Sequence, residues 1–207
     1  MGNLGEILSV STAWDDSFLA TDRKEVPVSN IANLIPADNE IRFFLRDRPV
    51  FGFLSNFHDA AIVVEGETWR STEFYYQAQK SFDREYRAAI RQATSPGHAK
   101  RLSSDPTQST RNRKCSWFTG RLEKLRGDWA EVKLDVMRVA VRAKFTQHDD
   151  LREMLLATGT ATIIEDSKYD SYWGIGRNGD GANHLGQLLM SLRGELAVCQ
   201  AGAALGG

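Results

Sequence analysis

Glu73, Gln77 and Lys80 recur at i, i+4 and i+7, a spacing that places all three on one face of a helix. A carboxylate, an amide and an amine so arranged could hold a sugar or phosphate and move a proton. The stretch that carries them, TEFYYQAQKSF, is otherwise apolar through Phe74, Tyr75, Tyr76 and Phe82. Taken by itself, a glutamate in a first helical turn is most often a surface carboxylate that the helix dipole favours. The spacing does not decide between the two.

A second candidate lies far downstream in YDSYWGIGRNGDGAN, residues 169–183. It brings Asp170, Trp173, Gly174 and Gly176 ahead of a helix expected to begin near Asn183. Glycine-rich backbone lets N–H groups approach an anion, and a helix N-terminus adds a positive dipole end, so this loop could cradle phosphate. It could equally be a turn between elements. The match of Gly174-x-Gly176-x-x-Gly179 to the dinucleotide fingerprint is a coincidence, because no further strand follows to build the βαβ unit that fingerprint requires.

The third candidate is basic. Between Lys100 and Arg126, eight Lys or Arg face two acids, Asp105 and Glu123, a local excess of +6. Arg111, Arg113, Lys114 and Trp117 could track a phosphodiester backbone and stack a base. The usual fate of such a run is a solvated loop, and no periodicity organises these charges.

Other chemistries find no support. The histidines at 58, 98, 148 and 184 show no ligand spacing, so no metal is expected. Neither a GxSxG elbow nor a cysteine signature is present, and no cofactor is called for. Cys115 and Cys199 suit a reducing cytosol. The N-terminal segment is interrupted by Glu6, Asp15 and Asp16, and no run reaches the ~18 apolar residues of a membrane helix, so neither secretion nor membrane spanning is expected. A net charge of -1 excludes a global positive field and leaves any nucleic-acid contact to local patches.

The elements that must position these residues are mainly helical. Hydrophobic residues at 42% over 207 positions suffice for one sizeable core. Residues 1–38, broken by Pro27 and Pro36, read as an extension, 39–198 as the domain and 199–207 as a flexible tail. IRFFLRDRPVFGFLSNF and AAIVVEGETW hold two β-prone stretches that predict a small sheet or hairpin, with Glu65-Gly66 closing the second. Thr72 is expected to cap the helix bearing Glu73, and the chain reads as helical again over 86–93. Ser95-Pro96 starts another helix. In DWAEVKLDVMRVAVRAKF, Trp129, Val132, Val136, Val139 and Ala143 form one stripe, and Leu134, Met137 and Val141 a second. Asp149 is expected to cap a helix through Leu156, ATIIE reads as one strand, and Leu185, Leu188, Leu189, Leu192 and Leu196 mark the last helix. The expected architecture is a mainly α, multihelical single domain with a small β element near its N-terminal side.

The pieces FLSNF, ETWRSTEFYYQAQK, DWAEVKLDVMRVAVRAKF, LLATG and YDSYWGIGRNGDGANHLGQLLMSLR, in that order from about Phe51 to Leu196, together resemble the NADAR family, which has the YbiA-like fold. The resemblance implies binding of ADP-ribose or ribose phosphate and cleavage of an N-glycosidic bond. Some members act on early riboflavin-pathway intermediates. Others remove ADP-ribose from guanine in DNA and counter an ADP-ribosyltransferase toxin. By position, the family's functional carboxylate falls on Glu73, its helix-opening tryptophan on Trp129, and its D-x-x-W-G pair on Asp170 and Trp173. Phe74 stands where members commonly carry His, and residues 103–126 form a longer, more basic segment than the compact metabolic type has.

On this basis Glu73 is expected as base or cation stabiliser, with Asp170 orienting ribose hydroxyls or protonating the base. Trp129 and Trp173 would wall the pocket. Gly174, Gly176 and the helix start at Asn183 would hold phosphate, with Ser55, Asn56 and Gln77 adding hydrogen bonds. Lys80 could instead attack C1 of the opened sugar and form a Schiff base. The enlarged cationic segment favours ADP-ribosylated DNA as substrate and a DNA ADP-ribosyltransferase toxin as functional counterpart. A phosphoribosyl small molecule of the riboflavin branch is the alternative, and a non-catalytic ADP-ribose reader is the third.

Overall fold

The computed structural model describes residues 27–44, 50–107 and 114–205. Two apolar clusters form its core, and the helix α5 (Trp129–Gln147) runs between them. Met137, Val141 and Phe145 enter the first cluster, while Ala140 and Ala143 enter the second. Both stripes of this helix are therefore used, but Val139, expected on one of them, is exposed. The face completed by Ala140 and Ala143 admits close approach because it is built from small side chains.

Two short sheets flank the helices. β2 (Ile62–Val64) and β3 (Glu67–Trp69) form the expected hairpin, closed by Glu65 and Gly66 at φ 52° and 76°, the doubly left-handed geometry of a tight two-residue turn. The first β-prone stretch does not join them. β1 (Glu40–Phe43) pairs in parallel with β4 (Thr162–Glu165), in register from Glu40 opposite Thr162 to Phe43 opposite Glu165. A strand's hydrophobic pattern reports that it is half buried, not which distant strand will accept its hydrogen bonds.

The helix bearing Glu73, α2 (Thr72–Ala78), is buried at every position. Its cap corrects the sequence reading: Ser71 occupies the N-cap without a side-chain bond, and Thr72 Oγ1 instead donates to the Asn56 carbonyl at 3.0 Å. The chain leaves α2 after Ala78 and starts α3 (Arg84–Arg91), where Asp83 accepts from the N–H groups of Glu85 and Tyr86. Ser95 caps α4 (Pro96–Leu102) as expected, accepting from His98 N–H. The helix α6 (Asp149–Ala157) has His148 at its N-cap position, and Asp149 pairs with Arg152 at 2.7 Å rather than capping.

Two boundaries move. α1 (Val28–Ile31) places Ile31 in the core, so the segment before residue 38 belongs in part to the domain. At the other end α7 (His184–Leu205) continues past the expected limit at 198. This helix lies so close to β4 that a Cβ on Gly186 would stand 2.1 Å from the Ile163 carbonyl oxygen. Only glycine permits that approach. Among the described residues, no helix is long and apolar enough to cross a membrane.

Candidate active site

Buried α2, the end of β4 and the segment after it border a cleft of about 310 Å³ whose walls include Glu73, Gln77, Lys80, Glu165, Asp170 and Trp173. Glu73 and Asp170, 97 positions apart in the chain, therefore face one space.

Each wall has a local reason for its position. Asn56 O accepts from Glu73 N–H at 3.2 Å and from Thr72 Oγ1, so the segment after Leu54 fastens the first turn of α2. That segment is itself held by Lys144, buried in α5, whose Nζ donates to the carbonyls of Phe53 and Ser55. Among the described residues no carboxylate pairs with Lys144, and burial pushes its pKa down to about 7. Ser55 and Asn56 line the cleft. The Asn56 side chain is already engaged, receiving from Thr72 Oγ1 at 3.2 Å and donating to Met137 Sδ at 3.3 Å, so it braces α2 rather than offering a free ligand.

On α2, Gln77 Nε2 donates to Glu73 Oε1 at 2.7 Å. Ser103 Oγ donates in turn to Gln77 Oε1, and Lys80 Nζ donates to the Ser103 carbonyl at 3.2 Å. The predicted polar face is thus a connected chain of hydrogen bonds inside the protein. Burial raises the Glu73 pKa, while Lys100, the Gln77 bond and Lys80 act to lower it and Asp170 to raise it. Burial also brings Lys80 down to about 8, against the attraction of Glu73. A lysine so tuned holds both charged and neutral forms near neutral pH.

Asp170 closes a turn: its Oδ1 accepts from the N–H groups of Tyr172 and Trp173 at 3.0 and 2.9 Å. This fixes Trp173, whose ring meets Tyr76 edge-on at 5.5 Å. Trp129 does not line the cleft. It stands behind Tyr76, with ring centroids 5.0 Å apart, and supports the wall that the sequence reading assigned to it directly.

The glycine loop is not the phosphate cradle expected of it. Gly176 N–H donates to the Asp170 carbonyl, Asn183 N–H to Gly174, His184 N–H to Tyr172 and Leu185 N–H to Trp173. These donors close the loop on itself. Gly174 is required for packing, since a Cβ there would lie 2.5 Å from the Glu165 carbonyl, and Gly176 adopts φ 67°. Asn183, at φ 51°, receives Glu165 N–H on Oδ1 and donates from Nδ2 to the Ile163 carbonyl, both at 2.9 Å. It ties the loop to β4. Among the described residues, the cations on the cleft are Lys80 and Lys100.

Of the basic segment, Arg111 and Arg113 lie outside the described residues, and Lys114 is exposed. Trp117 corrects the base-stacking expectation: its ring packs against Tyr86 at 5.3 Å and Phe118 at 5.6 Å, with the Arg121 guanidinium 4.8 Å from its centre. It serves the second apolar cluster.

Sequence reasoning missed Phe44, Tyr76, Lys100, Glu165, Ser167 and Tyr169, all on the cleft. Glu165 had a signal, an acid closing the apolar strand TIIE. Its Oε2 is buried without a hydrogen-bond partner among the described residues. Burial first, then the nearby charges of Asp170 and Glu73, push its pKa up to about 8 against the pull of Lys100. Among the described residues, no group of three His, Cys, Asp or Glu is arranged to hold a metal ion.

The NADAR domain model matches residues 43–197 of the chain. The N-glycosidase YbiA of Escherichia coli is 45% identical over 148 residues, covering 72% of this chain and 83% of that protein. An N-glycosidase of Nostoc punctiforme is 39% identical, covering 74% and 91% respectively. A riboflavin biosynthesis protein of Vibrio vulnificus is 36% identical over 76% of this chain but only 41% of its own length. In three dimensions the chain is similar to the NMR structure of E. coli YbiA, with TM-score 0.69 and 40% identity, covering 85% of this chain and 96% of that one.

Proposed function

The chain belongs to the NADAR domain family, and on that premise we propose that it is an N-glycosidase that hydrolyses the C1–N bond of a ribose bearing phosphate. The observation that carries this reading is the shared cleft of Glu73, Asp170, Lys80 and Lys100. Breaking the bond builds positive charge on the sugar, which a buried carboxylate stabilises, and the same carboxylate can take a proton from the attacking water. Lys80 and Lys100 meet the phosphate in place of the glycine loop, and Asp170 receives the ribose hydroxyls.

Among substrates, a phosphoribosyl heterocycle of the riboflavin branch fits best. A cleft of about 310 Å³ is at the small end of ligand sites, and two relatives are named as riboflavin biosynthesis proteins. The second reading, removal of ADP-ribose from guanine in DNA opposite an ADP-ribosyltransferase toxin, draws its support from the basic segment and exposed Lys114. It loses the support of Trp117 as a stacking platform. Incubation of the protein with a ribosylaminopyrimidine phosphate and, separately, with guanine-ADP-ribosylated oligonucleotide decides between them. Mass spectrometry should register the free base from the first at least tenfold faster. Release from neither substrate removes the N-glycosidase reading.

A further inference from the structure

Among the described residues three carboxylates border one cleft, and only two have an assigned part. We propose that Glu165 is the proton donor to the departing nitrogen, a role that rests on the N-glycosidase reading above. Glu73 and Asp170 are each engaged through an oxygen, Oε1 by Gln77 and Oδ1 by two backbone N–H groups. Glu165 differs from both, because its buried Oε2 meets no donor among the described residues. Glu165 is partly buried, and a carboxylate charge on that oxygen would be poorly compensated, whereas a neutral carboxyl needs less.

Its surroundings act in the same direction. Glu165 ends β4 opposite Phe43, and the charged groups that act on it are Asp170 from the loop, Glu73 from α2 and Lys100 from α4. Two of the three are acids. Like charges sharing a site disfavour one another's ionisation, and an acid with an oxygen left without a donor is the one best suited to keep its proton. The backbone holds the residue firmly: Asn183 Oδ1 receives its N–H, and its carbonyl accepts from Ile175 N–H at 3.0 Å.

The position suits a leaving base. Phe44, which follows the paired strand residue Phe43, and Tyr169 bring their rings to 6.5 Å at the cleft. Tyr169 is 87% exposed, so its ring is open to a flat partner. In the proposed pose a heterocycle stacked there would turn its glycosidic nitrogen to Glu165, with the sugar toward Glu73 on α2. In the reaction, the C1–N bond breaks with its electron pair going to nitrogen, and the carboxyl proton of Glu165 passes to that nitrogen. Water bonds to C1 and gives a proton to Glu73. Exchange with solvent returns the proton from Glu73 and restores that of Glu165, so the net reaction consumes one water.

The test compares Glu165→Gln with the unaltered protein on two substrates, an aminopyrimidine ribosyl phosphate and a nitrophenyl ribosyl phosphate whose leaving group departs without protonation. The expected result is a loss in kcat of at least 100-fold on the first and less than threefold on the second. Equal losses on both substrates, or no loss on the first, overturn the assignment while leaving the N-glycosidase reading intact. Failure of the unaltered protein to cleave either substrate overturns both. Glu165→Ala, run in parallel with thermal unfolding of each variant, should show the same leaving-group pattern, and a loss that follows the unfolded fraction instead overturns the proposal.

Discussion

Gln77 Nε2 lies 2.7 Å from Glu73 Oε1 one helical turn away, and this bond is one of the influences that hold the Glu73 pKa down against its burial. Replacing Gln77 by Leu removes the donor and lets the Glu73 pKa rise further. If Glu73 works as an anion, the acid limb of the pH profile of kcat/KM moves to higher pH. Any fall in rate at neutral pH stays within about tenfold, the ~1.5 kcal/mol that one hydrogen bond to a charged group is worth. An unmoved acid limb in Gln77→Leu would count against Glu73 as the working base.

Glu73→Gln separates enzyme from reader. The substitution keeps the shape of the buried side chain and removes the base, so turnover should fall by ~10²–10⁴, while calorimetry finds the affinity for ribose phosphate within about threefold of the original. A reader without catalysis has no turnover to lose in either form.

Lys80 offers a choice between two chemistries. Its Nζ is anchored on the Ser103 carbonyl at 3.2 Å, and its pKa of about 8 would also suit an amine nucleophile. Under direct hydrolysis, borohydride added during turnover leaves the mass of the protein unchanged, and Lys80→Met raises KM at least tenfold through loss of a phosphate contact. A reduced sugar adduct mapped to Lys80 would replace the water mechanism with a Schiff base.

Glu165 should weaken the fold as pH rises. Its folded pKa of about 8 stands above the ordinary 4.5, so the folded state keeps its proton longer than the unfolded chain. The stability this contributes is complete below 4.5 and is lost progressively until about 8. Glu165→Gln, which cannot ionise, should melt close to the unaltered protein at pH 4.5 and several degrees higher at pH 8.5, corresponding to a few kcal/mol at most. Parallel melting curves at both pH values would remove the case for an ionisation penalty at this residue.

Asn183 and Gly186 test the joint between loop, strand and last helix. Asn183→Ala removes two 2.9 Å bonds to β4 and puts alanine at φ 51°, a conformation that costs it roughly 1–2 kcal/mol. A total destabilisation of ~2–4 kcal/mol is expected in urea unfolding. Gly186→Ala should cost at least as much, because the added methyl would stand 2.1 Å from a backbone oxygen. Retention of full stability in both would mean that the joint tolerates rearrangement.

The helices were legible because their signals are local. Ser95-Pro96 announced α4, and the spacing from Trp129 to Phe145 announced a helix with two apolar sides. The site was half legible. Glu73, Gln77 and Lys80 share a face by helical geometry alone, and the resemblance pointed to Asp170 and Trp173. Thr72 misled because its hydroxyl had a better acceptor in Asn56, 16 positions away, than the helix it opens. The glycine loop misled because its composition states that N–H groups are available to bend toward a partner, and the partner turned out to be the loop's own carbonyls.

What the chain determined without its fold was the kind of element each segment makes and which polar side chains an element aligns, since both follow from φ/ψ preference and spacing over a few residues. Which elements meet was decided only in three dimensions. The parallel pairing of β1 with β4 joins segments some 120 residues apart, and it sets Glu165, partly excluded from water, on one cleft with Phe44, Lys100 and Glu73. A carboxyl's proton affinity depends on that exclusion and on the charges nearby, and neither quantity exists until distant segments of the chain have closed around it.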